Sequence, residues 1–321
     1  MSLKAERFTS IPIIHSGLSP RLGDNINGPS VIRVPEWVNN PLGAYYLYFA
    51  HHMGRFIRLA YADRLEGPWT VYEPGVLDVE ESLFVMEDLT EVPEEPGGAW
   101  AAQTGNQFLY AHIASPDVHV DNEAGIIRMY YHGLLASGDQ QTRLATSRDG
   151  LAFEPLPALL GPPYFRVFPH GDWIYAISWA GVIQRAHQWS GPFEQGPELF
   201  TGPPLNNQDT TIRHVGLLCR DDRLDLFYSR IGDEPECILH TIIDLSDDWS
   251  NWQIHPPRTV LKPENSWEGA DLPLTLSRVG AADGRERALR DPFVFVDENK
   301  FYLFYSGAGE NAIGVAFLTG L

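Results

Sequence analysis

Apolar and polar residues alternate along this chain in short runs, broken every few positions by Gly, Pro, Asn or Asp. Successive side chains of a strand point to opposite faces, so a two-residue period bounded by turn residues reads as strands. One aromatic-rich run recurs five times: Tyr46-Leu-Tyr-Phe-Ala-His51, Arg128-Met-Tyr-Tyr-His-Gly133, Ile174-Tyr-Ala-Ile-Ser-Trp179, Asp225-Leu-Phe-Tyr-Ser-Arg230 and Tyr302-Leu-Phe-Tyr-Ser-Gly307. Each is followed by an apolar run with a small residue in it, as in Ile57-Arg-Leu-Ala-Tyr61, Thr142-Arg-Leu-Ala-Thr146 and Ile313-Gly-Val-Ala-Phe317. Three copies then close on Glu66-Gly-Pro-Trp69, Asp149-Gly-Leu-Ala-Phe153 or Ser190-Gly-Pro-Phe193. Repeated units of this kind predict an all-β fold, a five-bladed β-propeller with antiparallel blades around a central axis. The blades are expected at 27–72, 115–155, 162–200, 212–252 and 290–320, within a single domain spanning 1–321.

The inner strand of each blade should precede the aromatic strand by a hairpin. Counting back 13 positions from Tyr130, Phe227 and Phe304 reaches Asp117, His214 and Asp291, and the same count from Ala176 reaches Pro163, beside Tyr164. In the first blade the insertion Pro35-Glu-Trp-Val-Asn-Asn-Pro-Leu42 moves the point back to Asn27-Gly28-Pro29. A propeller gathers inner-strand starts, and the turns after the aromatic strands, around one end of its axis. The expected ring is therefore Asn27, Asp117, Tyr164, His214 and Asp291, joined by His51-His52, Asp139-Gln140-Gln141, Trp179, Arg230 with Asp233-Glu234, and Glu310-Asn311. Rings that stack on pyranose C–H faces, mixed with charged groups that bond hydroxyls, suit a sugar better than a flat protein surface. Two insertions, 73–114 and 253–289, are long enough to shape such a site, and Trp267-Glu268 of the second is expected to fold over the axis.

Composition narrows the partners. The net charge of −19 excludes nucleic acid and anionic membrane, which need a cationic face. No run approaches the ~20 apolar residues that span a bilayer. Met1-Ser-Leu-Lys-Ala-Glu-Arg7 lacks the apolar centre of a secretory signal, so a cytoplasmic location is expected. The two cysteines, Cys219 and Cys237, both in the fourth repeat, are then expected as reduced thiols.

At Asn27-Gly-Pro-Ser-Val-Ile-Arg-Val34, with Tyr45-Tyr-Leu-Tyr48, the chain resembles the opening blade of the five-bladed propeller glycoside hydrolases, the group of the arabinanases, β-xylosidases, invertases and agarobiose hydrolases. Arg290-Asp-Pro-Phe-Val-Phe-Val-Asp-Glu-Asn-Lys-Phe-Tyr-Leu-Phe-Tyr305 resembles the Asp-Pro strand opening of the same group. The resemblance implies three carboxylates around the axis. An Asp opening the first blade is base or nucleophile, an Asp opening the second tunes its partner, and a Glu is the acid. Asp117, in Ser115-Pro-Asp-Val-His119, fits the second position. Gly28 stands where the first-blade Asp would be, with Asp24 four residues upstream, and the third blade has Pro163-Tyr164 and no Glu.

Glycoside hydrolysis needs a protonated acid at the leaving oxygen and an ionised carboxylate on the anomeric side. Asp117 and Asp291, both reached by the same count, are the first candidates. Glu268 and Glu310 compete for the acid, and His214, which titrates near neutrality, could serve as acid or base. Asn27, His51, His52, Tyr164, Trp179, Arg230 and Trp267 are the candidate substrate contacts. Each also has a structural reading, as turn cap, surface carboxylate or core ring. Arg33, Arg58, Arg143 and Arg166 lie within strands and fit either an anionic sugar or blade-bracing ion pairs. No cofactor is expected; the rival is a divalent ion near the axis, with Asp117 and His119 on one strand face as its best support. The expected function is removal of terminal residues from a short oligosaccharide with inversion. The alternatives are an inactive sugar-binding propeller and a metal-dependent lyase or lactonase on the same scaffold. The sequence leaves the oligomeric state open.

Overall fold

A computed structural model describes residues 3–90, 109–197, 199–200, 211–246 and 248–321. Residues 91–108 of the first insertion lie outside them. Strands β1 (Lys4–Arg7) and β2 (Ile14–His15) open the chain, and four-stranded antiparallel sheets follow. The first sheet is β3 (Asn27–Arg33), β4 (Tyr45–Ala50), β5 (Phe56–Ala62) and β6 (Thr70–Asp78). The second is β7 (Ile113–Asp121), β8 (Ile126–Leu134), β9 (Gln140–Ser147) and β10 (Glu154–Pro155). The third comprises β11 (Arg166–His170), β12 (Trp173–Ile177), β13 (Ile183–Ala186) and β14 (Glu194–Gln195). The fourth comprises β15 (Thr211–Arg220), β16 (Arg223–Ile231), β17 (Ile238–Asp244) and β18 (Arg258–Leu261). The last has β19 (Leu289–Asp297), β20 (Lys300–Gly307) and β21 (Ala312–Thr319), with β1 as its outer strand and β2 on the far end of β21. The fold is a five-bladed β-propeller, one sheet per sequence repeat. Each aromatic run is the second strand of its blade. Its rings fill the interior: Tyr46, Tyr48, Tyr130, Phe227, Phe304 and Tyr305 are fully buried. No helix among the described residues is long and apolar enough to cross a membrane.

The residues group into two compact units, Ser16–Phe165 with the first two blades, and Met1–His15 with Arg166–Leu321, which holds the other three. In the first, Ile32, Tyr48, Ile57, Ile127, Met129 and Phe153 belong to one core cluster. In the second, one cluster centres on Tyr175, Leu226 and Trp252, and another on Leu303, Tyr305 and Leu318. Cys219 and Cys237 are free thiols, each pushed up to about 11 by burial.

Four inner strands carry a β-bulge at a matched place. Pairing skips between Asn27 and Ser30, Ala114 and Asp117, Ile212 and Val215, and Arg290 and Phe293. In three of them the first skipped residue has positive φ and is followed by proline: Gly28 at 62°, Ser115 at 51° and Asp291 at 51°. Bulges re-aim side chains at strand ends, and aspartate tolerates this left-handed conformation better than most residues. The constant 13-residue interval hides a shift. β7 and β8 are joined by the four residues 122–125, whereas residues 298–299 suffice between β19 and β20. Asp291 therefore occupies the place of Ser115 and Gly28, and Asp117 sits two residues further along its strand.

Candidate functional site

In the unit Ser16–Phe165, Asp117 is 2% exposed just beyond the bulge of β7, and its Oδ2 lies 2.8 Å from His119 Nε2. Strand alternation puts the two side chains on one face, as the sequence suggested. Val118 N donates to Ser30 Oγ at 2.9 Å, joining the inner strands of the first two blades at this point. Asn27 is buried and its Nδ2 donates to Asn25 Oδ1 at 3.1 Å. Asn25 Oδ1 also accepts from His52 N at 2.7 Å, and Asn25 O from Arg58 Nη1 at 2.8 Å. His51 turns back on its own loop, with Nδ1 accepting from Met53 N. Arg58 and Arg143 are buried and donate to main-chain carbonyls, Arg58 to Asn25 and Ala50, Arg143 to Pro157. These two strand arginines thus brace their blades through carbonyls.

Tyr164, with φ of 68°, lies 4.4 Å from the ring of His132. His132 stands 5.6 Å from His112, whose Nδ1 bonds to Tyr110 O at 2.9 Å. Burial drives His112 down to about 4, with His52 adding to the effect, so it is neutral at physiological pH. His112 and His132 escaped the sequence reading because neither falls at the counted positions. Asp139, in the turn before β9, is pushed up by burial.

In the other unit, the starts of β15 and β19 meet. His214 Nδ1 is hydrogen-bonded to Asp291 Oδ1, and Ser306 Oγ donates to Asp291 Oδ2 at 2.9 Å. Asp291 is fully buried and His214 is 7% exposed. The approach depends on Gly216: a Cβ there would lie 2.6 Å from Pro292 O. The residues preceding the couple in each strand, Arg213 and Arg290, are buried too, and both bond to Glu236, at 2.9 and 2.8 Å. Burial pushes the Glu236 carboxyl up, but Arg213, Arg290 and the Ser277 hydroxyl outweigh it and hold the group below the usual glutamate range. Glu310, a candidate acid, accepts from Arg290 Nη1 at 3.2 Å. Arg230 is paired with Asp233, and Trp179 is buried on a 3₁₀ turn, Trp179–Gly181.

Glu268 and Trp267 are placed differently from these. Glu268 is fully buried and accepts five hydrogen bonds, from Arg7 Nε and Nη2, Tyr305 Oη, Glu264 N and Asn265 N. It closes the capping box of the 3₁₀ turn Ser266–Glu268. The Trp267 indole stacks on Tyr305 at 5.8 Å and lies over Gly307 and Gly314, where a Cβ would come within 2.5 and 2.3 Å of it. Both side chains fasten the second insertion to the fifth blade. Among the described residues, no three His, Cys, Asp or Glu side chains come together as a metal site.

Among solved structures, the same five-bladed propeller fold is found in family-43 glycoside hydrolases. A β-xylosidase/α-arabinofuranosidase of that family from a compost metagenome, solved with xylotriose, superposes with a TM-score of 0.60 at 13% identity, over 99% of this chain and 96% of that one. The GH43_1 enzyme of Xanthomonas citri gives 0.59 at 13% identity over 97% and 90%, and an α-L-arabinanase of Cellvibrio cellulosa 0.51 at 12% over 92% and 91%. At such identities the likeness is one of fold. No family model matches the chain. Uncharacterized protein R118 of Acanthamoeba polyphaga mimivirus is 34% identical over 333 residues, covering 97% of this chain and 89% of that protein, and the chain belongs to its family.

Proposed function

We propose that this protein is a carbohydrate-active propeller that hydrolyses the terminal glycosidic bond of a short oligosaccharide, with inversion. The observation that carries this reading is a pair of aspartate–histidine couples, Asp117–His119 and Asp291–His214, each with its aspartate buried at the bulged start of an inner strand. A buried carboxylate is costly unless it is paired, and such couples collect where protons are moved. Asp117 is assigned as the carboxylate that activates water, with His119 orienting it. In the other unit, His214 is assigned a proton-carrying role of its own, held by an Asp291 whose two oxygens are both engaged. Asn27, His51, His52 and Tyr164 are the proposed hydroxyl and ring contacts in the unit that holds Asp117. The length of the two insertions in the sequence, 73–114 and 253–289, supports action on chain ends. The substrates named in the structures of the neighbouring folds, xylose and xylotriose, make pentose oligosaccharides the first to try.

A second reading is a sugar-binding propeller without turnover. It is favoured by Gly28, which holds the bulge position that Asp291 fills in the fifth blade. The deciding experiment is hydrolysis of aryl glycosides and short oligosaccharides by wild type, Asp117→Asn and Asp291→Asn, with and without chelator, following the product anomer by NMR. Turnover should fall about 10²–10⁴-fold in each variant, ignore the chelator and release the inverted anomer. Variants as active as wild type would remove the carboxylate mechanism, and loss on chelation would move the chemistry to a metal. Sugar binding without turnover would establish the second reading.

A further inference from the structure

The His214–Asp291 couple joins residues 77 positions apart on two different blades, and neither strand alone fixes their separation. One carboxylate does reach both. Glu236 is fully buried just before β17; its Oε1 accepts from Arg213 Nε at 2.9 Å and its Oε2 from Arg290 Nε at 2.8 Å. Arg213 immediately precedes His214, and Arg290 immediately precedes Asp291. The main chain repeats the link, with Leu289 N donating to Glu236 O at 3.0 Å. Ser277 Oγ donates to Glu236 Oε2 at 2.6 Å and accepts from Arg213 Nη2 at 3.1 Å, so the second insertion locks the clamp from outside. The remaining donors are also engaged: Arg213 bonds the carbonyls of Gly280 and Arg278, and Arg290 bonds Glu286 at 2.7 Å and Glu310 at 3.2 Å. Guanidinium forks accept a carboxylate in few orientations, so two of them on one carboxylate fix the spacing of the strands that carry them.

We infer that Glu236 is a positioning residue: by bridging Arg213 and Arg290 it holds the starts of β15 and β19 at the separation that lets His214 meet Asp291. It touches no substrate and acts through the two arginines. The inference rests on the reading of His214 and Asp291 as a working couple, and the test separates the two.

The full-length protein is followed by proton NMR, reading the His214 ring N–H resonance, which a buried imidazole donating to a carboxylate shifts far downfield. The signal is assigned by its loss in Asp291→Asn. In Glu236→Gln, which keeps the shape but removes the charge and one acceptor, the resonance should vanish or move upfield while near-UV circular dichroism stays native. On a hydrolysed glycoside, kcat should drop about 10²-fold with KM little changed, the signature of a displaced group. Ser277→Ala, which removes two hydrogen bonds and no charge, should move the same resonance part of the way and serves as the deciding variant if Glu236→Gln does not fold. A natively folded Glu236→Gln, or failing it Ser277→Ala, with the resonance at its wild-type position overturns the inference, as does a wild type without the resonance. If the resonance responds as expected but no glycoside is turned over, the clamp stands and the glycosidase reading falls.

Discussion

His112 shows how a single side chain can set an acid limit. It is 1% exposed, burial holds it near 4, and its unfolded value is about 6.5. Between those values the unfolded chain binds the extra proton, so stability falls as pH drops through this window. The full deflection is about 3 kcal/mol. Urea midpoints at pH 7 and pH 4.5 should differ by less in His112→Gln than in wild type; an equal drop in both would show that the imidazole is not held neutral. Glu236 acts in a lower window. Its folded value is depressed, so its contribution is complete above the usual glutamate range and is lost as pH falls through the folded value. Sequence spacing singled out His214 and Asp291, because both sit near the starts of inner strands a fixed count before the aromatic runs. It did not find Glu236, Arg213 or Arg290, whose partners lie up to 67 residues away in a network that leaves no periodic trace.

At the scale of the element, the aromatic runs announced every second strand and the bulged starts lay where the turn residues put them. Equal counting then misaligned Asp117 with Asp291, because the hairpin of the second blade is two residues longer than that of the fifth. Loop length tells little about register when a bulge follows it. The outer strand of the last blade was also hidden: β1, at the opposite end of the chain, pairs with β21 from Lys4↔Thr319 to Arg7↔Ala316. Arg7 fastens that strand, donating twice to the fully buried Glu268 at 2.8 Å. Burial raises the Glu268 carboxyl, but Arg7, the two main-chain N–H groups and Tyr305 bring it below the usual range. Arg7→Ala would strand a buried carboxylate and should cost about 3 kcal/mol, measurable by chemical denaturation. A loss under ~0.5 kcal/mol would mean that Glu268 is satisfied by its capping contacts alone.

Across the whole molecule the excess of acidic residues sets the behaviour. A net charge of −19 on 321 residues repels itself, and the compact state bears more of that repulsion than the unfolded chain. Raising ionic strength from low to physiological should therefore raise the Tm, by roughly 2–4 °C for ~1 kcal/mol; a fall would mean that ion pairs such as those of Arg7 and Arg290 dominate. The class of fold was legible from end to end, because a strand period and a repeated aromatic core are properties of neighbouring residues that any local stretch displays. What the chain order could not express is which distant groups share a buried space: that Glu268 and Trp267 anchor an insertion, that β1 completes the last blade, that Glu236 spans two arginines beside a histidine–aspartate couple. Those depend on desolvation and hydrogen-bond geometry, which exist only once strands from separate parts of the sequence have packed together.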